Sequence, residues 1–270
     1  AAFNLSNLTG AAAPATGPHT AVVRVEGLIA ADTEASAERV IRGLRDAFAA
    51  SGTQAVMVRI NSPGGSPVQA GMIHDEMQRL RAAYPDTPLY AVTTDLCASG
   101  GYYIAAGAER IFANRASMVG SIGVRFGGFG FVEAMDKIGV DRRLITAGEN
   151  KALMDPFLPQ DPEAVAHIQG MVDSIHEQFI TAVKEGRGDR LGEDPPQALF
   201  SGLVWTGREA MQKGLVDDLA SPSAVAREVV GAERMVDFTP RKDLFQRFSD
   251  RIGTSLAQTL RDEALVPDLR

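Results

Sequence analysis

The 270-residue sequence predicts an α/β fold, parallel sheet layers flanked by helices. Three observations carry that prediction. Apolar, β-branched runs alternate with segments whose apolar residues recur at helical spacing, and such alternation calls for a parallel sheet covered by helices. Two of the strand ends run into paired glycines, in NSPGGS (Asn61–Ser66) and CASGG (Cys97–Gly101). In a parallel sheet those ends line one edge, where ligands usually bind. The 45% apolar fraction is that of an ordinary globular chain.

The elements follow in order. Residues 1–19, rich in small residues with Gly and Pro, read as a linker, expected to follow a removed membrane anchor. Thr20–Ala30 is a β-branched strand, and Ala35–Ala50 a helix with Val40, Ile41, Leu44 and Phe48 at helical spacing. Ala55–Ile60 is a buried strand that turns through NSPGGS into a helix over Val68–Ala83, opened by Pro67. Pro88–Thr94 is the third strand, and a helix follows from about Ser99 to Gly107. Short strands are expected in RIFANR and SMVGSIGV, then a glycine-rich FGGFGF, a helix over Val132–Ile138 and a strand over Arg142–Gly148. ENKALMDPFLPQDP has no periodicity and reads as a loop. A long helix spans roughly Pro162–Glu185, and turns, a short helix and a strand lead to a main-domain boundary near residue 235. Residues 236–270 hold an amphipathic helix and tail, with Leu244, Phe245, Phe248, Ile252 and Leu256 on one face.

The net charge of −7 argues against a nucleic-acid partner, which would select a basic face. One cysteine, Cys97, allows neither an intrachain disulfide nor a cysteine-type zinc site. No stretch reaches the roughly 18 apolar residues of a membrane span.

Chemistry concentrates at the two glycine-bearing junctions. Consecutive glycines permit positive φ and expose N–H donors that can hold an oxyanion, although NSPGGS is also compatible with an ordinary turn. Ser99 falls at a helix start, where free N–H groups favour developing negative charge; it is either a reactive hydroxyl or an N-cap. A reactive serine needs a base. His19 lies in the linker, and His74, His167 and His176 fall on helices among polar neighbours, so surface positions are expected for all three. Lys151, just past a strand end and beside an apolar loop, is the other option. Its reference pKa of about 10.4 suits a base only if desolvation lowers it by several units.

INSPGGSP, CASGGYYIA, VGSIGV, TAGENKA and SGLVWTGREAMQKGLVDDL occur in order and spacing over Thr20–Ser221. In this the chain resembles the signal peptide peptidase A (protease IV) family, short single-domain type. The resemblance implies the fold shared by the Clp protease and the crotonases, with a peptidase domain over 20–235. It implies Ser99 as nucleophile, Lys151 as general base in a Ser–Lys dyad, and Ser121 as the hydroxyl orienting the lysine amine. Gly65 and Gly100 would form the oxyanion hole, and no cofactor or metal is required. It further implies remnant signal peptides or other unfolded apolar segments as substrates, and ring-shaped homo-oligomers in which the dyad of short members can cross a subunit boundary. A membrane anchor, with the catalytic domain outside the bacterial inner membrane, goes with the same resemblance. A crotonase-like acyl-CoA enzyme and a non-catalytic membrane-associated scaffold remain alternatives. The first lacks an assignable carboxylate and CoA-phosphate site, and the joint presence of Ser99 and Lys151 speaks against the second.

Overall fold

The computed structural model describes residues 17–192 and 195–240. The amphipathic segment Arg241–Arg261 and most of the expected linker lie outside the described residues. The first half follows the expected alternation: β1 (His19–Glu26), α1 (Ala37–Ala49), β2 (Thr53–Ser62), α2 (Pro67–Ala83), β3 (Leu89–Ala98) and α3 (Gly100–Ala105). Next come β4 (Arg110–Ala113), β5 (Met118–Gly120), α4 (Val132–Ile138) and α5 (Pro162–Arg187). β6 (Val204–Thr206), α6 (Gly207–Gln212), β7 (Asp218–Leu219), α7 (Pro222–Ala224) and β8 (Met235–Asp237) complete the described chain.

The strands form one sheet in the order β6-β5-β3-β2-β1-β8, with β4 beside β3 and β7 beside β4. All neighbours are parallel except β5 and β6. β3 forks: Tyr90–Thr93 pair with β4, whereas Leu96–Ala98 pair with β5. This fork carries β3 four residues past its expected end at Thr94 and delivers Ser99 beside Gly120.

Val40, Leu44, Ala47 and Phe48 of α1 and Ile73, Met77 and Leu80 of α2 are buried with one sheet face and with α3 in the main core. Each large aliphatic or aromatic side chain so removed from water contributes about 1.5–3 kcal/mol. A smaller cluster of Val22, Met57, Val92, Phe112, Val225 and Ala226 covers part of the other face. The α2 start has Pro67 at its first turn and Ser66 accepting from the Gln69 N–H. α6 opens on a capping box between Thr206 and Glu209. In GLVWTGREAMQKGLVDDL the expected short helix and strand are α6 and β7, and a further short strand, β6, precedes them.

Three expectations are corrected. His19 opens β1 and is buried rather than belonging to a linker. Arg142–Gly148 forms no strand: nothing among the described residues pairs with it, and its side chains are exposed. An extended apolar run without a neighbouring edge has no ladder to join. His74 is buried, with its ring edge-on to Tyr103 at 5.3 Å.

Burial pushes the His74 pKa down, against the pull of the Asp75 carboxylate 3.5 Å from Nδ1 and of Glu185, and together with repulsion from Arg81. The unfolded chain then binds more protons than the folded one as pH falls below about 6.5, so stability decreases there. Thermal denaturation between pH 7.5 and 5.5 should show the melting temperature falling with acidification, and the His74→Gln protein should show a shallower slope. Equal slopes would remove His74 as the cause.

α5 packs mainly in its C-terminal half, where Phe179, Ala182, Val183 and Arg187 are buried; Ala164 is the one buried residue near its start. α4 buries none of its side chains. With the residues that flank it, from Phe126 to Asp161, it forms a segment that stands off the core and exposes Phe129 at 81% and Ile145 at 100%.

Candidate active site

β3 carries the chain to Ala98, and Ser99 follows at φ 53°, ψ −123° before α3 begins. Positive φ is unfavourable for a residue with a Cβ, costing on the order of 1–3 kcal/mol, and persists only where the surroundings over-determine it. Here they do. The Ser99 N–H donates to the Gly120 carbonyl at 2.8 Å, and the Ser99 carbonyl accepts from Tyr102 and Tyr103 at 2.9 and 3.0 Å. The hydroxyl makes no capping hydrogen bond. Helix capping, the bland role open to this serine, is thus not how the side chain is used. A sharp strand-to-helix turn presents the hydroxyl outward, the geometry a nucleophile requires.

The NSPGGS turn lies against this elbow. Gly64 has φ +97°, and a Cβ there would sit 2.7 Å from both the Ser99 Cβ and the Gly100 nitrogen. Gly65 has φ +151°, and a Cβ there would sit 2.1 Å from the Ile29 carbonyl oxygen. The close approach needs glycine at both positions. It places the Gly65 nitrogen 3.4 Å from where a Gly100 Cβ would be. The neighbouring N–H of Ser66 is spent on the Ile29 carbonyl and that of Gly64 on the Ser62 hydroxyl. Two backbone donors, at Gly65 and at the first position of α3, therefore flank Ser99, an arrangement suited to a tetrahedral oxyanion.

Ser121 also has positive φ, at 53°, and its N–H donates to Leu203 at 2.7 Å. Ser99, Ser121, Gly65 and Gly100 share a cavity of ≈ 720 Å³. Leu28, Tyr103, Val124, Ile175 and Phe179 give it apolar walls. Lys151 is not among its lining residues. It is exposed, in a turn closed by its N–H to the Gly148 carbonyl at 3.1 Å, and lines a separate hollow with Arg142 and Ile145. One chain thus brings together four of the five sequence-predicted site residues and leaves the lysine apart.

The family model for peptidase family S49 matches residues 83–233, which include Ser99, Ser121 and Lys151. The chain belongs to peptidase family S49. Among curated relatives, the chain is 41% identical over 211 residues to a protein of Brucella melitensis named Na(+)/H(+) antiporter NhaA, covering 78% of this chain and 28% of that protein. It is 32% identical to Protease 4 of Haemophilus influenzae, covering 74% of this chain and 32% of that one. It is 27% identical to the chloroplastic serine protease SPPA of Arabidopsis thaliana, covering 88% of this chain and 34% of that one. The chain spans about a third or less of the length of these relatives. The signal peptide peptidase A resemblance is borne out, and the chain carries a peptidase family S49 domain.

Within this S49 domain Cys97, two residues before Ser99, is buried, and burial pushes its thiol up to about 12, with a smaller opposing contribution from Thr93. Such a thiol stays protonated at neutral pH and is inert as a nucleophile. Sequence reasoning missed three residues here. His176, expected at the surface, is half-buried and lies 3.3 Å from the Ile122 carbonyl, next to Ser121. Ile175 and Phe179, one turn apart on α5, wall the cavity; their i, i+4 spacing on the longest helix was the available signal.

Proposed function

We propose that this domain is a serine endopeptidase acting through an acyl-enzyme, with Ser99 as nucleophile and Lys151 of a neighbouring copy as general base. The observation that carries the proposal is the strained Ser99 backbone held between two free N–H donors, at Gly65 and Gly100. In the mechanism a neutral lysine amine takes the Ser99 proton as Oγ attacks the peptide carbonyl. The N–H groups of Gly65 and Gly100 hold the oxyanion. The lysine then protonates the leaving amine, and water releases the acyl group. Ser121, on the same cavity wall, would orient the amine.

A lysine left in water is a poor base, and Lys151 is exposed in the single chain. The segment that bears it presents Phe126, Phe129 and Ile145 to solvent, a surface a second copy would cover. Docking that segment over a neighbour's cavity would desolvate Lys151 and complete the site, which is why a homo-oligomeric ring belongs to the reading. Substrates are unfolded apolar segments such as remnant signal peptides, consistent with the apolar cavity walls. Anchoring at the extracytoplasmic side of a bacterial inner membrane completes the proposal.

A biotinylated fluorophosphonate should label the protein at Ser99, as read by peptide mass mapping, while iodoacetamide leaves Cys97 unmodified in the folded state. Labelling elsewhere, or acyl-CoA turnover without labelling, would overturn the peptidase reading.

A further inference from the structure

Sixteen residues line the cavity around Ser99, and Arg125 is the one among them with a charged side chain. It lies four residues beyond Ser121, on the stretch that passes Gly123 and Val124 along the cavity wall. Among the described residues it has no carboxylate partner, whereas Arg142, Arg187 and Arg190 of neighbouring segments are each ion-paired. Arg125 is exposed beside the apolar walls formed by Val124, Ile175 and Phe179, so its five donors, in a fixed fork matched in shape to a carboxylate, are open to one that arrives with a bound peptide. The chain as a whole carries net charge −7, so its general field disfavours acidic peptides. A local cation at the cleavage cavity reverses that preference at one position.

We propose that Arg125 is a specificity-determining residue that binds an acidic side chain, Asp or Glu, of the peptide laid across Ser99. This rests on the peptidase reading of the site. It narrows the substrate class from apolar segments to apolar segments bearing one carboxylate at a fixed distance from the scissile bond. The contact is a charge-assisted hydrogen bond, strongest when bidentate. Being near the cavity mouth, it weakens with salt.

The test uses quenched fluorogenic peptides with a leucine-rich background in which one position at a time is Glu, Gln or Lys. The protein should cleave the Glu peptide with kcat/KM about tenfold above the Gln peptide at one position, mainly through KM, as expected when a charge-assisted bond is lost. In Arg125→Gln the ratio should collapse towards one, and in Arg125→Glu the preference should pass to Lys. The same peptides, measured by fluorescence anisotropy on Ser99→Ala protein with and without the Arg125 changes, report binding alone. If the domain cleaves no peptide, the peptidase reading fails and cleavage is lost as a readout, but the anisotropy ranking still decides the role of Arg125. An Arg125→Glu protein that keeps the Glu preference, loses affinity for all three peptides alike, or changes its oligomeric state without changing the ranking would overturn the proposal.

Discussion

A mixture of Ser99→Ala and Lys151→Ala proteins, assembled together, is expected to cleave peptide substrate although each protein alone does not. Loss of the nucleophile or of its base should lower turnover at least about a thousandfold in either single variant, because the two act as one unit. If each site takes its serine from one chain and its lysine from the next, random co-assembly leaves about a quarter of the sites intact. The expectation follows from the location of Lys151, exposed and outside the cavity that holds Ser99. The measurement is steady-state cleavage after the two variants are co-refolded in equal amounts, with mixed assembly confirmed by differential tagging. Mixed assemblies without recovered activity would place both residues in one chain's site. Substantial turnover by Lys151→Ala alone would remove the lysine from the mechanism.

Arg187→Ala is expected to be the most destabilising substitution in the described core. Arg187 is 1% exposed at the end of α5, donating to the Gly214 carbonyl and to Asp217 at 2.8 Å each. Asp217 also accepts from the Ile111 N–H at 2.6 Å, so one carboxylate ties α5 to β4. Burial opposes its ionisation, yet the hydrogen bonds from Arg187 and Ile111 hold the carboxyl below the usual carboxylate range. Removing one partner of a buried pair leaves the other charge uncompensated, at a cost of about 3–5 kcal/mol. For a domain of this size that lowers the melting temperature by roughly 10 °C. Calorimetry of the variant checks this; a loss below about 1 kcal/mol would show that Arg190, 2.9 Å from Asp217, suffices.

The first half of the fold was legible because local signals agree. Val22, Val23 and Val25, then Val56, Met57 and Val58, are β-branched or apolar runs too short for helices, and Pro67 and Ser66 mark a helix start. The elbow was legible only in part: a serine at a helix start serves as an N-cap as readily as a nucleophile, and the family resemblance, not the local pattern, singled out Ser99. The continuation of β3 past Thr94 was hidden, because the exposed Asp95 interrupts the apolar run before Leu96, Cys97 and Ala98 pair with β5. Arg142–Gly148 carries a strand's composition without a partner edge in the described chain, so pattern alone misled. His74 sits among polar residues in sequence but turns towards Tyr103. Sequence spacing could nominate Lys151 but could not give its distance from Ser99, a property of tertiary and quaternary arrangement.

The Ser99 amide bonds to Gly120, and the amide of Ser121, the next residue along, bonds to Leu203. Leu203 and Val204, at the sheet's rim, are both exposed. The reactive turn is thus tethered through a two-link relay to the outermost strand. The position of Ser99 is thereby referenced, through two backbone hydrogen bonds, to an edge of the sheet that faces solvent.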